Sequence, residues 1–202
     1  MTTHWRAAHC ALVLAIPFSP AMSQSIPGEP PATVAAARDG QRDFDFEIGH
    51  WRTHLLVRAP LDAEAAWSEY TGTSIVSKVW GGRANLVELD VDGPGGRIVG
   101  LSLRLYNPQA RQWSLTFSNA RVGTLAKPVI GEFKDGRGEF VGMEEHQGRA
   151  VLVRFVIMPI TPDSVRFEQA YSDDWGRTWV LNWIATDSRL SESLEGRRRT
   201  TP

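Results

Sequence analysis

Asp43-Phe44-Asp45-Phe46-Glu47-Ile48-Gly49-His50-Trp51-Arg52-Thr53-His54-Leu55 is the stretch whose reading decides the fold. Phe44, Phe46 and Ile48 alternate with acidic residues, which predicts a half-buried extended segment of period two. Gly49 interrupts it, and a strand is predicted from about Trp51 to Arg58. Nothing downstream reads as an amphipathic helix. Short alternating or apolar runs follow instead at 66–79, 84–91, 97–106, 112–118, 129–134, 139–145, 150–158, 165–171 and 179–187. They are separated by turn residues such as Pro60-Leu61-Asp62, Gly81-Gly82, Asp92-Gly93-Pro94-Gly95-Gly96, Asp135-Gly136-Arg137-Gly138 and Gln147-Gly148. Short connections favour sequential hairpins, and closing such a meander removes exposed sheet edges. The expectation is an all-β fold, an antiparallel up-and-down β-barrel of about ten strands, with an open two-sheet sandwich as the alternative.

Moving outward, the 202-residue chain suits one domain plus processing segments. Residues 1–23 read as a signal peptide. His4 and Arg6 precede a short apolar run from Ala7 to Phe18, and Ala21-Met22-Ser23 offers a small-x-small cleavage pattern. That run is shorter than the ~20 residues a membrane span needs. Export to a periplasm or beyond is expected, with no transmembrane segment after cleavage. Residues 24–42 are a Pro-, Ala- and Gly-rich linker with a possible short helix over Thr33–Arg38. The barrel domain is expected over 43–190, and 191–202 is a polar tail ending in Arg197-Arg198-Arg199. The net charge of -1 gives no footprint for nucleic acid. Cys10, the one cysteine, falls in the expected leader, so the mature domain has no disulfide and no thiol chemistry.

Polar residues inside otherwise apolar strands are the main site signal: Glu69, Glu88, Arg104, Glu132, Arg154, Glu168 and Asn182. A buried arginine must be paired, because an isolated buried charge costs several kcal/mol. Glu168 or Glu145 is the expected partner of Arg154. Arg104 alternates with Ser102 and Tyr106, opposite a stripe of Val99, Leu101, Leu103 and Leu105. Either these polar residues form the solvated outside of the barrel, or some line a cavity. Under the second reading the ligand-binding set is Trp67, Arg104, Trp113, Glu132, Arg154, Glu168, Asn182 and Trp183, since aromatic walls with a few polar groups are what ligand pockets have.

His50 and His54 share a strand face but lie roughly 13 Å apart at ~3.3 Å per residue, too far for one ion. If Trp51 points inward, both point outward. Glu144-Glu145 adjoins His146, and adjacent strand residues face opposite ways, so at most one glutamate shares that histidine's face. No nucleophile elbow, phosphate loop or zinc motif is present. No catalytic residue, metal or cofactor is therefore assigned.

Gly49-His50-Trp51 resembles the Gly-x-Trp signature of lipocalins and the wider calycin group. That resemblance implies a tryptophan closing one barrel end, covered by a basic residue after the last strand; Arg189 matches. Gly49, Trp51 and Arg189 would be the plug. The longer run from Phe44 to Trp51 resembles the opening of exported bacterial domains of unknown function of the DUF1579-like, calycin type. Small ten-stranded calycin relatives of the nitrobindin type bind haem through a histidine, which keeps haem as an alternative cofactor. Ser172, Asp174, Gly176, Thr178 and Trp179 resemble the Asp-box of sialidases. One copy in so short a chain implies a hairpin turn, with the tryptophan returning to the core, and not a glycosidase.

The functional expectation is a barrel that binds a small, partly apolar molecule in its interior. One alternative is a small barrel enzyme of isomerase, cyclase or hydrolase type using His54, Glu132 or Glu168. The other is a structural or interaction module of the cell envelope.

Overall fold

Ten strands follow one another around a single sheet that closes on itself. The computed structural model describes residues 39–191, so the expected leader, most of the linker with its possible helix, and the tail beyond Ser191 lie outside the described residues. The strands are β1 (Gly49–Val57), β2 (Ser68–Val79), β3 (Ala84–Asp92), β4 (Ile98–Asn107), β5 (Gln112–Asn119), β6 (Val129–Lys134), β7 (Arg137–His146), β8 (Arg149–Ile160), β9 (Ser164–Ser172) and β10 (Val180–Arg189). Each pairs antiparallel with its sequence neighbours, and β1 pairs with β10 to complete the barrel. An up-and-down barrel, not an open sandwich, is the architecture.

Local chemistry explains the connections. Lys134 pairs with Arg137 and His146 with Arg149, leaving the two-residue turns Asp135-Gly136 and Gln147-Gly148. All four turn residues have positive φ, between 50° and 77°. That is the primed turn whose twist matches a right-handed hairpin, and Asp-Gly adopts it at little cost.

The opening stretch departs from expectation. Phe44 to Ile48 is not extended: Asp45–Glu47 forms a single 3-10 turn. The apparent alternation is a turn that carries Phe44 and Glu47 into the barrel, at 1% and 6% exposure. A turn can bury residues three apart where a strand would bury every second one.

The faces of β4 also run against the usual apolar rule. Gly100, Ser102, Arg104 and Tyr106 point inward, while Val99 and Leu101 are exposed on the outside with Leu103 and Leu105 beside them. On β8, by contrast, the inward positions are apolar: Val151, Val153, Phe155 and Ile157.

Candidate ligand cavity

Successive inward residues of one strand walk from the closed end of the barrel to its mouth. On β1 these are Trp51, Thr53, Leu55 and Val57. Trp51 is fully buried and donates its Nε1 hydrogen to the Glu47 carbonyl at 2.6 Å. Arg189, its register partner on β10, lays its guanidinium 4.1 Å over the indole. The same guanidinium donates to the carbonyls of Phe46, Ile48 and Pro162. Gly49 sits at φ 129°, and a β-carbon there would lie 3.0 Å from Arg189 Nη1. The positive φ favours glycine, and any side chain there would also press on the stacked guanidinium.

Phe44 fills the rest of this end. Its ring makes edge contacts with Trp113 and Phe133, each at 4.9 Å, and stacks near Phe140. Trp113 donates to the Gly40 carbonyl at 2.9 Å, tying the incoming chain to β5. The plug is thus larger than the residues Gly49, Trp51 and Arg189.

Above the plug lies a cavity of about 440 Å³. Its floor is polar. Glu47 and Arg104 form a two-pronged ion pair, with Arg104 Nη2 donating to Glu47 Oε1 at 3.0 Å and Nη1 to Oε2. Both side chains are more than nine-tenths buried, and the guanidinium also covers the Phe44 ring at 4.3 Å. Arg104 Nε and the Oδ1 of its register partner Asn85 are buried with no partner among the described residues. Beside this pair, Thr53 Oγ1 donates to Asp187 Oδ1 at 2.5 Å and lies 2.7 Å from Ser74 Oγ. Asp187 is 8% exposed, and its other oxygen has no partner among the described residues. Burial pushes its pKa up to about 7, and the Glu47 carboxylate adds to the rise. The Thr53 hydrogen bond and the Arg104 charge oppose it.

The walls are apolar: Leu55, Val87, Leu89, Leu115, Phe117, Phe155 and Phe167, with Ala185 leaving room. Trp183 completes them and meets Phe117 edge-on at 6.2 Å. The mouth is polar again. Gln169 donates to Asn182 Oδ1 at 3.1 Å, and Tyr171 donates to Glu144 at 2.9 Å. Burial, with the nearby Glu144 charge, raises the Tyr171 pKa far above the usual phenol range. Arg58 and Lys127 supply positive charge there.

Of the eight residues predicted to bind a ligand, Arg104, Asn182 and Trp183 line the cavity. Asn182 and Trp183 are adjacent yet both face inward, because β10 is irregular between Leu181 and Trp183. Trp113 is interior but belongs to the plug. The other four are corrected. Glu132 is exposed on β6. Glu168 points outward and accepts from Arg166 at 2.7 Å. Arg154 also points outward, paired with neither Glu168 nor Glu145, and lies 4.2 Å under the Trp179 ring. Trp67 stands at the barrel rim, 36% exposed, beneath Arg58 at 4.4 Å. An aromatic cover on the outer face shields a cation as effectively as burial, so apolar neighbours in sequence did not distinguish the two arginines.

The hairpin before β10 is held by one carboxylate. Asp174 accepts from the Thr178 and Arg177 amides and the Thr178 and Ser172 hydroxyls, and Ser172 Oγ accepts from the Gly176 amide. The Thr178 backbone bond leads the effects that lower the Asp174 pKa to about 2. Trp179 does not return to the core; it covers Arg154 and donates to the Gly176 carbonyl at 3.0 Å. His54 is bonded to Glu69 on the outer surface at 2.7 Å. None of His50, His54 and His146 lines the cavity.

Glu47, Thr53, Ser74, Asp187, Glu144, Gln169 and Tyr171 were missed as site residues. A signal for two of them was present. If Arg189 covers Trp51, then Asp187 lies two residues earlier on β10 opposite Thr53, two residues after Trp51, and both face inward.

No family model matches the chain, and no curated protein matches it. Among solved structures, the chain is similar to an S-type phycobiliprotein lyase from Guillardia theta, at 13% identity and a TM-score of 0.53. That match covers 77% of this chain and 95% of the lyase. A redesigned β-barrel bound to DFHBI is similar at 10% identity and a TM-score of 0.41, over 71% of this chain and 99% of that one. The lyase likeness agrees with the closed barrel and bears on the fold alone.

Proposed function

We propose that this chain is an exported, calycin-type barrel that binds one small, partly apolar molecule inside. The observation that carries the reading is the cavity of about 440 Å³ with apolar walls between a polar floor and a polar mouth. Its size falls in the range of about 300–1,000 Å³ typical of ligand sites. The polar groups are few and fixed, which is what orientation of a ligand requires. Export rests on the expected leader in residues 1–23. Among the described residues no helix is long and apolar enough to cross a membrane. The enzyme alternative built on His54, Glu132 and Glu168 is dropped, because none of the three lines the cavity.

The test is native mass spectrometry of protein purified from its own compartment, together with titration by the apolar dye Nile red. A co-purifying small mass and saturable dye binding are expected. Ala185→Trp, which fills the cavity from its wall, should abolish the binding while leaving the barrel folded. Dye binding that is unchanged in Ala185→Trp, or absent from the wild type, overturns the reading.

One observation favours a second reading, an interaction module of the envelope. Val99 and Leu101 are 40% and 36% exposed on the outer face of β4. Under that reading partner capture would be lost in Leu101→Glu and kept in Ala185→Trp.

A further inference from the structure

Resting on the interior-binding reading, we infer that the cavity floor selects a neutral ligand head bearing a hydrogen-bond-accepting oxygen, such as a ketone carbonyl, to which the Asp187 carboxylic acid donates. The geometry supplies one free oxygen. Oδ1 is taken by Thr53, which is itself held by Ser74, so the carboxyl is fixed in orientation. Oδ2 is unpartnered on a side chain that lines the cavity and is more than nine-tenths buried. An unpartnered polar oxygen that a largely buried side chain presents to a cavity calls for a complementary group.

The charges around the site choose the sign of that group. Arg104, the one cation on the floor, is engaged on two prongs by Glu47. An anionic head would meet two carboxyl groups and a guanidinium whose two terminal nitrogens are held by Glu47, leaving only its Nε unpaired among the described residues. A cationic head would need Asp187 ionised in a buried setting, and would have to pass Arg58 and Lys127 at the mouth. Glu144 is the one acid at that mouth, and it is already bonded to Tyr171. A neutral acceptor meets neither obstacle.

The protonation state is consistent with a donor. Burial holds the proton on Asp187 up to about neutral pH. The groups around it are charged only on two sides: Glu47 on the 3-10 turn raises its affinity for the proton and Arg104 on β4 lowers it. From β1, β2 and β9 its neighbours are Thr53, Ser74 and Val165, none of them charged. Ligand affinity should therefore be highest below about pH 7 and fall as the acid ionises.

Three probes with the same carbon chain separate the outcomes: 2-undecanone, 2-aminoundecane and undecanoate. Their binding to the full domain is read by tryptophan quenching at pH 5.5 and pH 8.5, with Trp183 in the cavity wall as a reporter. The ketone should bind about tenfold tighter than either charged probe at pH 5.5. That advantage should shrink at least fivefold at pH 8.5. Asp187→Asn, whose amide can still accept from Thr53 and donate to a ligand, should keep the preference at both pH values. Asp187→Ala should lose it at both. An amine or carboxylate that binds best, or ketone affinity that ignores both pH and Asp187, overturns the inference. Nile red binding measured in parallel tells whether the interior-binding reading survives that result.

Discussion

The two ends of this barrel use the same ten strands and the same inward–outward alternation, yet one is solid and the other hollow. At the closed end the inward positions carry Trp51, Trp113, Phe133 and Phe140, and the chain entering β1 adds Phe44. In the hollow half they include Thr53, Ser74, Ser102, Gln169 and Ala185, which are small or polar, among the apolar wall residues. A barrel of eight strands has an interior that side chains can just fill. Ten strands enclose more, so a dense end needs both large aromatics and an inserted segment. The cavity is the part of the interior that the inserted Phe44 ring and the clustered plug aromatics leave unfilled, although Phe117, Phe155, Phe167 and Trp183 line its walls. The plug is therefore a device for stability, and the hollow half is where the proposed ligand would sit. Variants should separate the two.

The largest separation is expected from Trp51→Ala. It removes a fully buried indole, its bond to the Glu47 carbonyl and the surface on which Arg189 stacks. Large-to-small changes of an aromatic core residue cost roughly 3–5 kcal/mol. Urea unfolding should show a loss of that size, while Nile red affinity under folding conditions stays within about threefold. A Trp51→Ala protein of wild-type stability that no longer binds the dye would show that plug and cavity are not separable.

A somewhat smaller effect lies at their boundary. Glu47 belongs to the plug by its backbone and to the cavity floor by its side chain. Glu47→Gln leaves the Arg104 guanidinium buried without an opposing charge, which should cost about 3 kcal/mol. Replacing both ends of the pair by apolar groups removes the uncompensated charge, so Glu47→Leu with Arg104→Met should recover most of that loss. Urea denaturation of the single and double variants reads the coupling directly. If the double variant is no more stable than Glu47→Gln alone, the pair contributes by its shape and not by mutual charge compensation.

The closed end was more legible in the sequence than the cavity, for a physical reason. Strand positions and hairpins are encoded locally, as in Asp135-Gly136 and Gln147-Gly148, where two residues set the turn. The Gly49, Trp51 and Arg189 cluster was readable through the resemblance of Gly49-His50-Trp51 to the Gly-x-Trp signature, whose implied ring and covering cation are specific residue types. The floor was not readable because the rule that apolar residues face inward fails where a cavity removes the need to fill space. β4 is the plain case, with its aliphatic stripe outside and Ser102 and Arg104 inside. Arg104 and Arg154 look alike in sequence. Only their tertiary partners, Glu47 for one and Trp179 for the other, put the first in the cavity and the second on the outer wall. Glu47 was hidden further, because a 3-10 turn at Asp45–Glu47 can mimic the alternation of a strand.

The subtlest contrast is electrostatic, and it concerns Asp187 against the acids of the outer surface. Its carboxyl has a folded-state pKa raised from the ordinary 3.8 to about 7, chiefly by burial. Between these values the folded protein holds a proton that the unfolded chain has released. Stability therefore falls as pH rises from about 4 to about 7, and levels off once the buried acid has also ionised. At about 1.4 kcal/mol per pH unit across the part of that interval above pH 5.5, the loss between pH 5.5 and pH 8 amounts to about 2 kcal/mol. Asp187→Asn keeps an oxygen for Thr53 and cannot ionise, so the difference between wild type and variant isolates this one group. Urea unfolding of the two proteins at both pH values should show the wild type losing about 2 kcal/mol more than Asp187→Asn on going to pH 8. Parallel losses in the two would mean that Asp187 titrates as an exposed acid does, with water from the cavity reaching it freely. The hollow half would then be wet down to its floor, and the floor would meet a ligand as a carboxylate instead of an acid.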